Sequence, residues 1–305
     1  MTHRTDLDRL EAEAASIIRD AVFSSTGRVA LLFSGGKDSA VVRHIAMRAL
    51  ESCHYNHVKL VNIDTGHNFP EVEAFIERTA ATTPFEHVPY YVQHDIDSGA
   101  VEVAEGQSRN SAQSVTLRRA IEQGAFTTLI GGARRDEEKA RAKERVFSVR
   151  RQFGGWDPAH QRPELWGIYN TTFGEDTKQG DNFRVFPISN WTELDVWRYI
   201  ERENIELPSI YYAHERNVIL RGDRLIPYFP NLMPSRVGEM VVREKVRFRT
   251  VGDITCTCPV ASDADTVAKI IRETMVTTIS ERGATRADDA ASEAAMEQRK
   301  KQGYF

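Results

Sequence analysis

Cysteine is scarce in this chain: Cys53, Cys256 and Cys258 are the only three among 305 residues, an odd number that does not support a disulfide framework. Only Thr257 separates Cys256 from Cys258, and no second pair supplies the other two ligands that a structural zinc would want. No apolar run approaches the ~20 residues that cross a bilayer. The stretch Met1 to Arg4 leads into a charged helix, so the sequence reads as cytoplasmic and not membrane-bound. An excess of positive charge is missing too: 40 Lys and Arg stand against 44 Asp and Glu, a formal charge of -4, so no global nucleic-acid footprint exists. Internal repeats are absent, and only Ala287 to Ala295 approaches low complexity. What remains is ordinary for a globular protein, 41% hydrophobic and 28% charged, and long enough to bury a substantial core.

Apolar positions at helical spacing (Leu10, Ala14, Ile17, Ile18, Val22) predict an opening amphipathic helix from Leu7, with Asp6 as its cap. Val29 to Phe33 is a continuous apolar run of strand length, followed by a glycine turn and a helical pattern from Ala40 to Leu50. Val58 to Ile63 repeats the strand signal, and Pro70 opens a helix that covers Val72 to Ala81. Further on come a helix at Ser114 to Gln123, strands at Thr127 to Ile130 and Val185 to Ile188, and a helix at Glu193 to Glu203. Strands alternating with helices predict an α/β fold with a doubly wound, mostly parallel sheet, whose ligands gather at the carboxyl ends of its strands. Beyond Leu207 the pattern breaks into short mixed segments before a helix near Asp265 to Thr278. We therefore expect residues 1–206 to form the ligand-binding domain and 207–305 a carboxyl-terminal extension.

The residues that carry chemistry fall at those strand ends. After the first strand come Ser34, Gly35, Gly36, Lys37, Asp38 and Ser39, leading into a helix. Glycines let backbone amides close on an anion, and the helix terminus adds partial positive charge, so the loop suits phosphate. A Walker A loop needs glycine where Leu31 stands here. After the second strand come Asp64, Thr65 and Gly66, which either face a ligand or cap the Pro70 helix. After the strand ending at Ile130, Gly131 and Gly132, expected to let the backbone come close to the bound nucleotide, precede a run to Arg145 with six basic and four acidic residues. Arginine forks suit tetrahedral oxyanions, which makes Arg134 and Arg135 the nearest candidates and Lys139, Arg141 and Arg145 weaker ones. Taken alone, the same run reads as a solvated helix with Glu137 and Arg141 paired at i, i+4. His67 and His214 could each contact a ligand, although solitary histidines are more often structural or exposed.

Two resemblances follow from these residues. The loop Ser34 to Ser39 resembles the pyrophosphate loop of the ATP pyrophosphatases, which implies an adenine nucleotide alpha-hydrolase fold, ATP as substrate, and release of pyrophosphate with transfer of AMP. In that setting Lys37 would neutralise the leaving pyrophosphate, Asp38 would be a candidate Mg²⁺ ligand, and Ser34 and Ser39 would donate to phosphate oxygens. The Asp64-Thr65-Gly66 segment is similar to the motif of the sulfonucleotide reductase and ATP sulfurylase branch.

The run Gly131 to Arg145 closely resembles the small subunit of bacterial heterodimeric ATP sulfurylases, with further likeness at Trp156 to Trp166, Arg184 to Trp191, Val246 to Gly252 and Arg299 to Phe305. That resemblance implies formation of adenylyl sulfate from ATP and sulfate, with Lys37, Arg134 and Arg135 catalytic, and a separate GTPase partner subunit, since this chain carries no GTP-binding loop. Reductases of the same fold use a carboxyl-terminal cysteine, and none follows Cys258. A tRNA-thiolating enzyme would need reactive cysteines and a basic surface. Flavin adenylyltransferases lack the arginine-rich run. A catalytically silent nucleotide-binding subunit is the rival from another class, and the intact loop argues against it.

Overall fold

The computed structural model describes residues 5–53, 55–104, 108–137, 141–151, 161–170, 180–222 and 224–277. Lys139, the stretches 156–160 and 287–295, and the tail 299–305 lie outside them. The opening helix α1 (Asp6–Phe23) is capped by Thr5 and not by Asp6. Thr5 accepts the Asp8 amide, and the Asp8 carboxylate accepts the Thr5 amide, a reciprocal capping box that Asp6 cannot form because it is already helical. Strand β1 (Arg28–Leu32) follows, then α2 (Lys37–Leu50), which starts three residues before the expected Ala40. The lysine, aspartate and serine of the glycine turn are thus the helix's own first residues.

Next come β2 (Val58–Asp64), α3 (Pro70–Thr82) with its proline in the first turn, β3 (Glu86–Tyr91) and the short α4 (Val92–Asp97). β3 escapes a sequence reading because its residues are only partly buried, so it shows no apolar run. Then follow α5 (Gln113–Gly124), β4 (Phe126–Ile130), β5 (Phe147–Arg150), β6 (Asn182–Val185) and α6 (Glu193–Glu203). The strand expected at Val185 to Ile188 lies three residues earlier, at β6. Pro187 has no amide to give the ladder, and the chain turns there, with the Ser189 amide donating to the Phe186 carbonyl. Among the described residues of the arginine-rich run there is no α-helix, although Glu137 and Arg141 lie 3.8 Å apart.

The six strands form one sheet in the order β3-β2-β1-β4-β6-β5, parallel throughout except that β5 runs antiparallel to β6. The chain winds outward from β1 through β2 to β3, then restarts on the other side of β1 with β4. The strand order therefore reverses between β1 and β4, where a doubly wound sheet opens a crevice at its carboxyl edge. α1, α2, α3 and α6 supply the larger core on one face, with Phe33, Phe75, Trp191, Trp197 and Tyr199 buried in it. α5 covers β2, β3 and β4 on the other face, over Ala30, Val61 and Leu129.

Where only short mixed segments were legible, the structure holds a second, antiparallel sheet: β7 (His214–Arg221), β8 (Arg224–Pro227), β9 (Val241–Arg247) and β10 (Val260–Ala261), in the order β10-β9-β7-β8. α7 (Val267–Val276) packs on α6. The chain after β9 is tied to the first sheet: Phe248 stacks against Phe69 with centroids 4.7 Å apart, and the Ile254 amide donates to the His67 carbonyl at 2.8 Å. This docking carries residues 250–253 over the crevice.

Candidate functional site

A cavity of about 320 Å³ occupies the crevice. Its floor on the phosphate-loop side is Ser34, Gly36, Asp38 and Ser39. Gly35 holds a left-handed φ of +73°, and a Cβ there would also meet Val72 at 2.8 Å, so the turn depends on glycine. Gly36 is the N-cap of α2 and has no side chain with which to cap the first turn, so the positive helix end points at the cavity. Ser39 donates its hydroxyl to the Gly36 carbonyl at 2.9 Å, which holds the turn closed.

Lys37 is fully buried and lies behind the cavity wall, its ammonium 2.9 Å from Asp38 Oδ2. The other Asp38 oxygen takes Arg134 Nε at 2.7 Å. Burial pushes the Asp38 carboxyl up, but Arg134 and Lys37 outweigh it and hold it at about 2. Arg134, 1% exposed, also sits 3.5 Å from Asp136, whose carboxylate accepts the Glu193 amide. Burial likewise opposes ionisation of Glu193, yet Lys37 and Arg249 hold its carboxyl below its usual range. A ladder of paired charge thus fixes the first turn of α2 to the segment after β4.

Gly131 and Gly132 line the cavity opposite the loop. Gly132 is pressed against α2: a Cβ there would stand 2.9 Å from the Asp38 carbonyl carbon and 3.0 Å from the Ser39 nitrogen. Arg135 does not reach the cavity. Its guanidinium donates to the Glu144 carbonyl and to Asn190, and so braces the loop from outside. Arg145 faces away in the same manner, bonded to the Arg162 and Lys143 carbonyls. Arg141 and Glu137 do line the cavity.

Beyond β2, Thr65 and Asn68 line the cavity, but Asp64 turns aside to accept the Gly66 amide at 2.7 Å and the Asn68 side-chain amide at 2.8 Å. Asp64 and Gly66 therefore build the turn that presents Thr65. Leu32, Ile63, Leu117 and Leu129 form an apolar wall on the α5 side, suited to a flat aromatic ring.

Three groups of lining residues are invisible in the sequence pattern. Thr250, Val251, Gly252 and Asp253 arrive from beyond β9. Arg184 comes from the interior of β6, where a buried strand gives no sign of a polar ligand. Tyr211 comes from the turn before β7, and its hydroxyl accepts the Lys37 amide at 2.9 Å. Tyr211→Phe leaves that buried amide without its acceptor. We expect a loss of about 1–3 kcal/mol, read as a lowered midpoint in urea. Neither His67 nor His214 lines the cavity: His67 takes the Ile254 amide on its backbone carbonyl with its ring 3.6 Å from Asp253, and His214 stacks on Phe248. Cys256 and Cys258 are buried, and no cluster of three or more metal-ligating side chains occurs among the described residues.

Residues 28–259 match the phosphoadenosine phosphosulfate reductase domain. Sulfate adenylyltransferase subunit 2 of Mycobacterium sp. (strain JLS) is 54% identical over 97% of this chain and 93% of its own length. The protein of the same name from Mycolicibacterium vanbaalenii is 52% identical over 98% of this chain and 94% of its own. Among solved structures, the FMN adenylyltransferase of Candida glabrata aligns over 92% of this chain and 87% of that one, at 13% identity and a TM-score of 0.48. With residues 28–259 matching that domain and near-full-length identity above one half, the chain belongs to the sulfate adenylyltransferase subunit 2 family, within the phosphoadenosine phosphosulfate reductase domain fold.

Proposed function

We propose that this chain transfers AMP from MgATP to inorganic sulfate, giving adenylyl sulfate and pyrophosphate, and that it works in the cytoplasm beside a GTPase subunit. The observation that carries the reading is one continuous cavity that joins a helix-end phosphate loop, an apolar wall and a buried arginine cluster. The wall takes adenine. The loop amides and the Ser34 hydroxyl take the outer phosphates, Ser39 holds the turn through the Gly36 carbonyl, and Lys37 and Arg134 add charge behind them. A sulfate oxygen then bonds to the α-phosphorus as the bridging bond to the β-phosphate breaks, and the electron pair leaves on pyrophosphate. No protein nucleophile or proton transfer is needed, so positioning and charge stabilisation account for the catalysis.

Both Asp38 oxygens are engaged by Lys37 and Arg134, which leaves it poorly suited to hold a resident Mg²⁺. The ion enters with the nucleotide as part of the substrate. Adenylyl sulfate formation is strongly uphill, which is why a partner's GTP hydrolysis makes chemical sense. Residues 207–305 are the proposed contact for that partner. Leu220, Met240 and Val241 expose apolar surface on or beside the second sheet, which supports this placement.

The test is nucleotide turnover by the chain alone and with a GTPase subunit, using molybdate in place of sulfate because its mixed anhydride with AMP hydrolyses. Expected is molybdate-dependent release of AMP and pyrophosphate from ATP, lost in Lys37→Ala. ADP and orthophosphate as products would overturn the scheme, and nucleotide binding without turnover in any combination would leave a regulatory subunit.

A further inference from the structure

The face of the sheet that carries the apolar wall changes character at β6. Arg184 pairs in register with Leu129 of β4 and with Ser148 of β5, so all three project to that one face. Arg184 is 3% exposed and lines the cavity. It makes no hydrogen bond or ion pair among the described residues, and its Nε is buried without a partner. The charges around it do not close. Glu144 gives Oε1 to Arg150 at 3.1 Å and reaches Arg184 by its charge alone, and Glu137 faces Arg141 at 3.8 Å. Among the described residues, Arg184 is thus the arginine of this group that neither carboxylate bonds directly. Burial first, then the Arg150 charge, push its guanidinium down to about 9 against the opposing pull of Glu144, so its charge is only partly offset.

A protein rarely buries a lone cation unless something else supplies the opposite charge. The other subsites are already accounted for by chemistry: the ring by the apolar wall and the outer phosphates by the loop at α2. Arg184 lies two strands from β1, roughly 10 Å across the sheet at the usual strand spacing. In-line displacement at the α-phosphorus sets the nucleophile on the side opposite the leaving pyrophosphate. The far end of the cavity from the loop is therefore where the attacking oxyanion must enter.

Resting on the reaction proposed above, we infer that Arg184 is the counter-charge for the attacking tetrahedral oxyanion, and so a determinant of oxyanion affinity separate from the nucleotide subsite. Arg141 at the cavity rim and Glu137 beside it tune the same end, while Arg134 and Lys37 serve the phosphates.

The experiment compares wild type, Arg184→Met and Arg184→Lys, each with the GTPase subunit, by titrating sulfate calorimetrically into protein saturated with α,β-methylene-ATP and by steady-state pyrophosphate release. Expected for Arg184→Met is sulfate affinity down at least tenfold and KM for molybdate up to match. Affinity for the ATP analogue should stay within about twofold, and Arg184→Lys should fall between. The unliganded Arg184→Met chain should melt no lower than wild type, because an unneutralised buried cation has gone. Unchanged sulfate affinity would overturn the inference while leaving the reaction intact. So would a loss confined to the ATP analogue, or a melting point several degrees lower. A wild type that shows no oxyanion-dependent turnover would sink both.

Discussion

Asp38→Asn should cost the fold about 3 kcal/mol at neutral pH and reduce pyrophosphate release at least 100-fold. Asp38 stands between two cations that have little access to water, Lys37 and Arg134, and gives one oxygen to each. Removing one member of a buried charge cluster typically costs ~3–5 kcal/mol, and the lower end applies here because Asp136 and Glu193 still face these cations. The protonation linkage gives a similar scale. A carboxyl whose folded-state pKa lies below its unfolded value stabilises the fold above the unfolded pKa and loses that contribution as pH falls through the folded one. Asp38 moves from 3.8 to about 2, a lowering that corresponds to roughly 2 kcal/mol. Its contribution is complete above about pH 4 and fades between about 4 and 2. Urea denaturation of wild type and Asp38→Asn from pH 7 down to about 3 reads this directly. The stability gap should be flat at the upper end and begin to close below pH 4. A gap that holds or widens as the acid limit is approached would rule out the charged clamp as its source.

The parts of this molecule that could be read from sequence share one property: they are contiguous. Ser34 to Ser39 carries its glycines, lysine and aspartate on adjacent positions, so the strand, loop and helix around it are legible from a short window. The parallel order of the strands follows from their alternation with helices. The missed elements fail for local reasons. β3 is an edge strand with only partial burial, and the antiparallel β5 is four residues whose pattern, Phe147 to Arg150, includes a buried serine and a buried arginine. The site divides in the same way. Arg134 and Arg135 are neighbours in sequence, yet the first points to Asp38 and the second to the back of the loop. No composition argument separates two adjacent arginines, because the difference lies in which side of the loop each faces. Tyr211 and Asp253 reach the cavity through long-range docking of the segments around the second sheet, seen in Phe69 on Phe248 and the Ile254 amide on His67, and Arg184 reaches it through the pairing of β6 with β4. Such contacts are properties of the assembled sheet pair, and no window of the chain contains them.

That same assembly makes the paired glycines after β4 unequal, although they look alike in the sequence. Gly132 fits against the first turn of α2 so closely that a methyl group would lie 2.9 Å from the Asp38 carbonyl carbon, 3.0 Å from the Ser39 nitrogen and 3.1 Å from the Asp38 Cβ. The two closest atoms are backbone atoms at the start of a helix packed into the main core, so they cannot swing away as a flexible side chain would. The segment after β4 must retreat instead, and it carries Arg134, whose 2.7 Å bond to Asp38 sets the distance between the phosphate loop and the opposite wall. A displacement of about 1 Å in groups that position reacting atoms can cost on the order of 100-fold in rate. Gly132→Ala should therefore lower kcat for molybdate-dependent pyrophosphate release at least 100-fold, a barrier increase of about 2.7 kcal/mol. Gly131→Ala is the matched control, because its methyl group would meet nothing nearer than Phe186 at 3.8 Å, an ordinary contact. It should stay within about twofold of wild type. Measuring both variants side by side, with circular dichroism to verify that each is folded, separates close approach from a general need for flexibility. Equal losses in the two would point to flexibility, and a fully active Gly132→Ala would mean that α2 and the wall opposite it need not touch for the cavity to work.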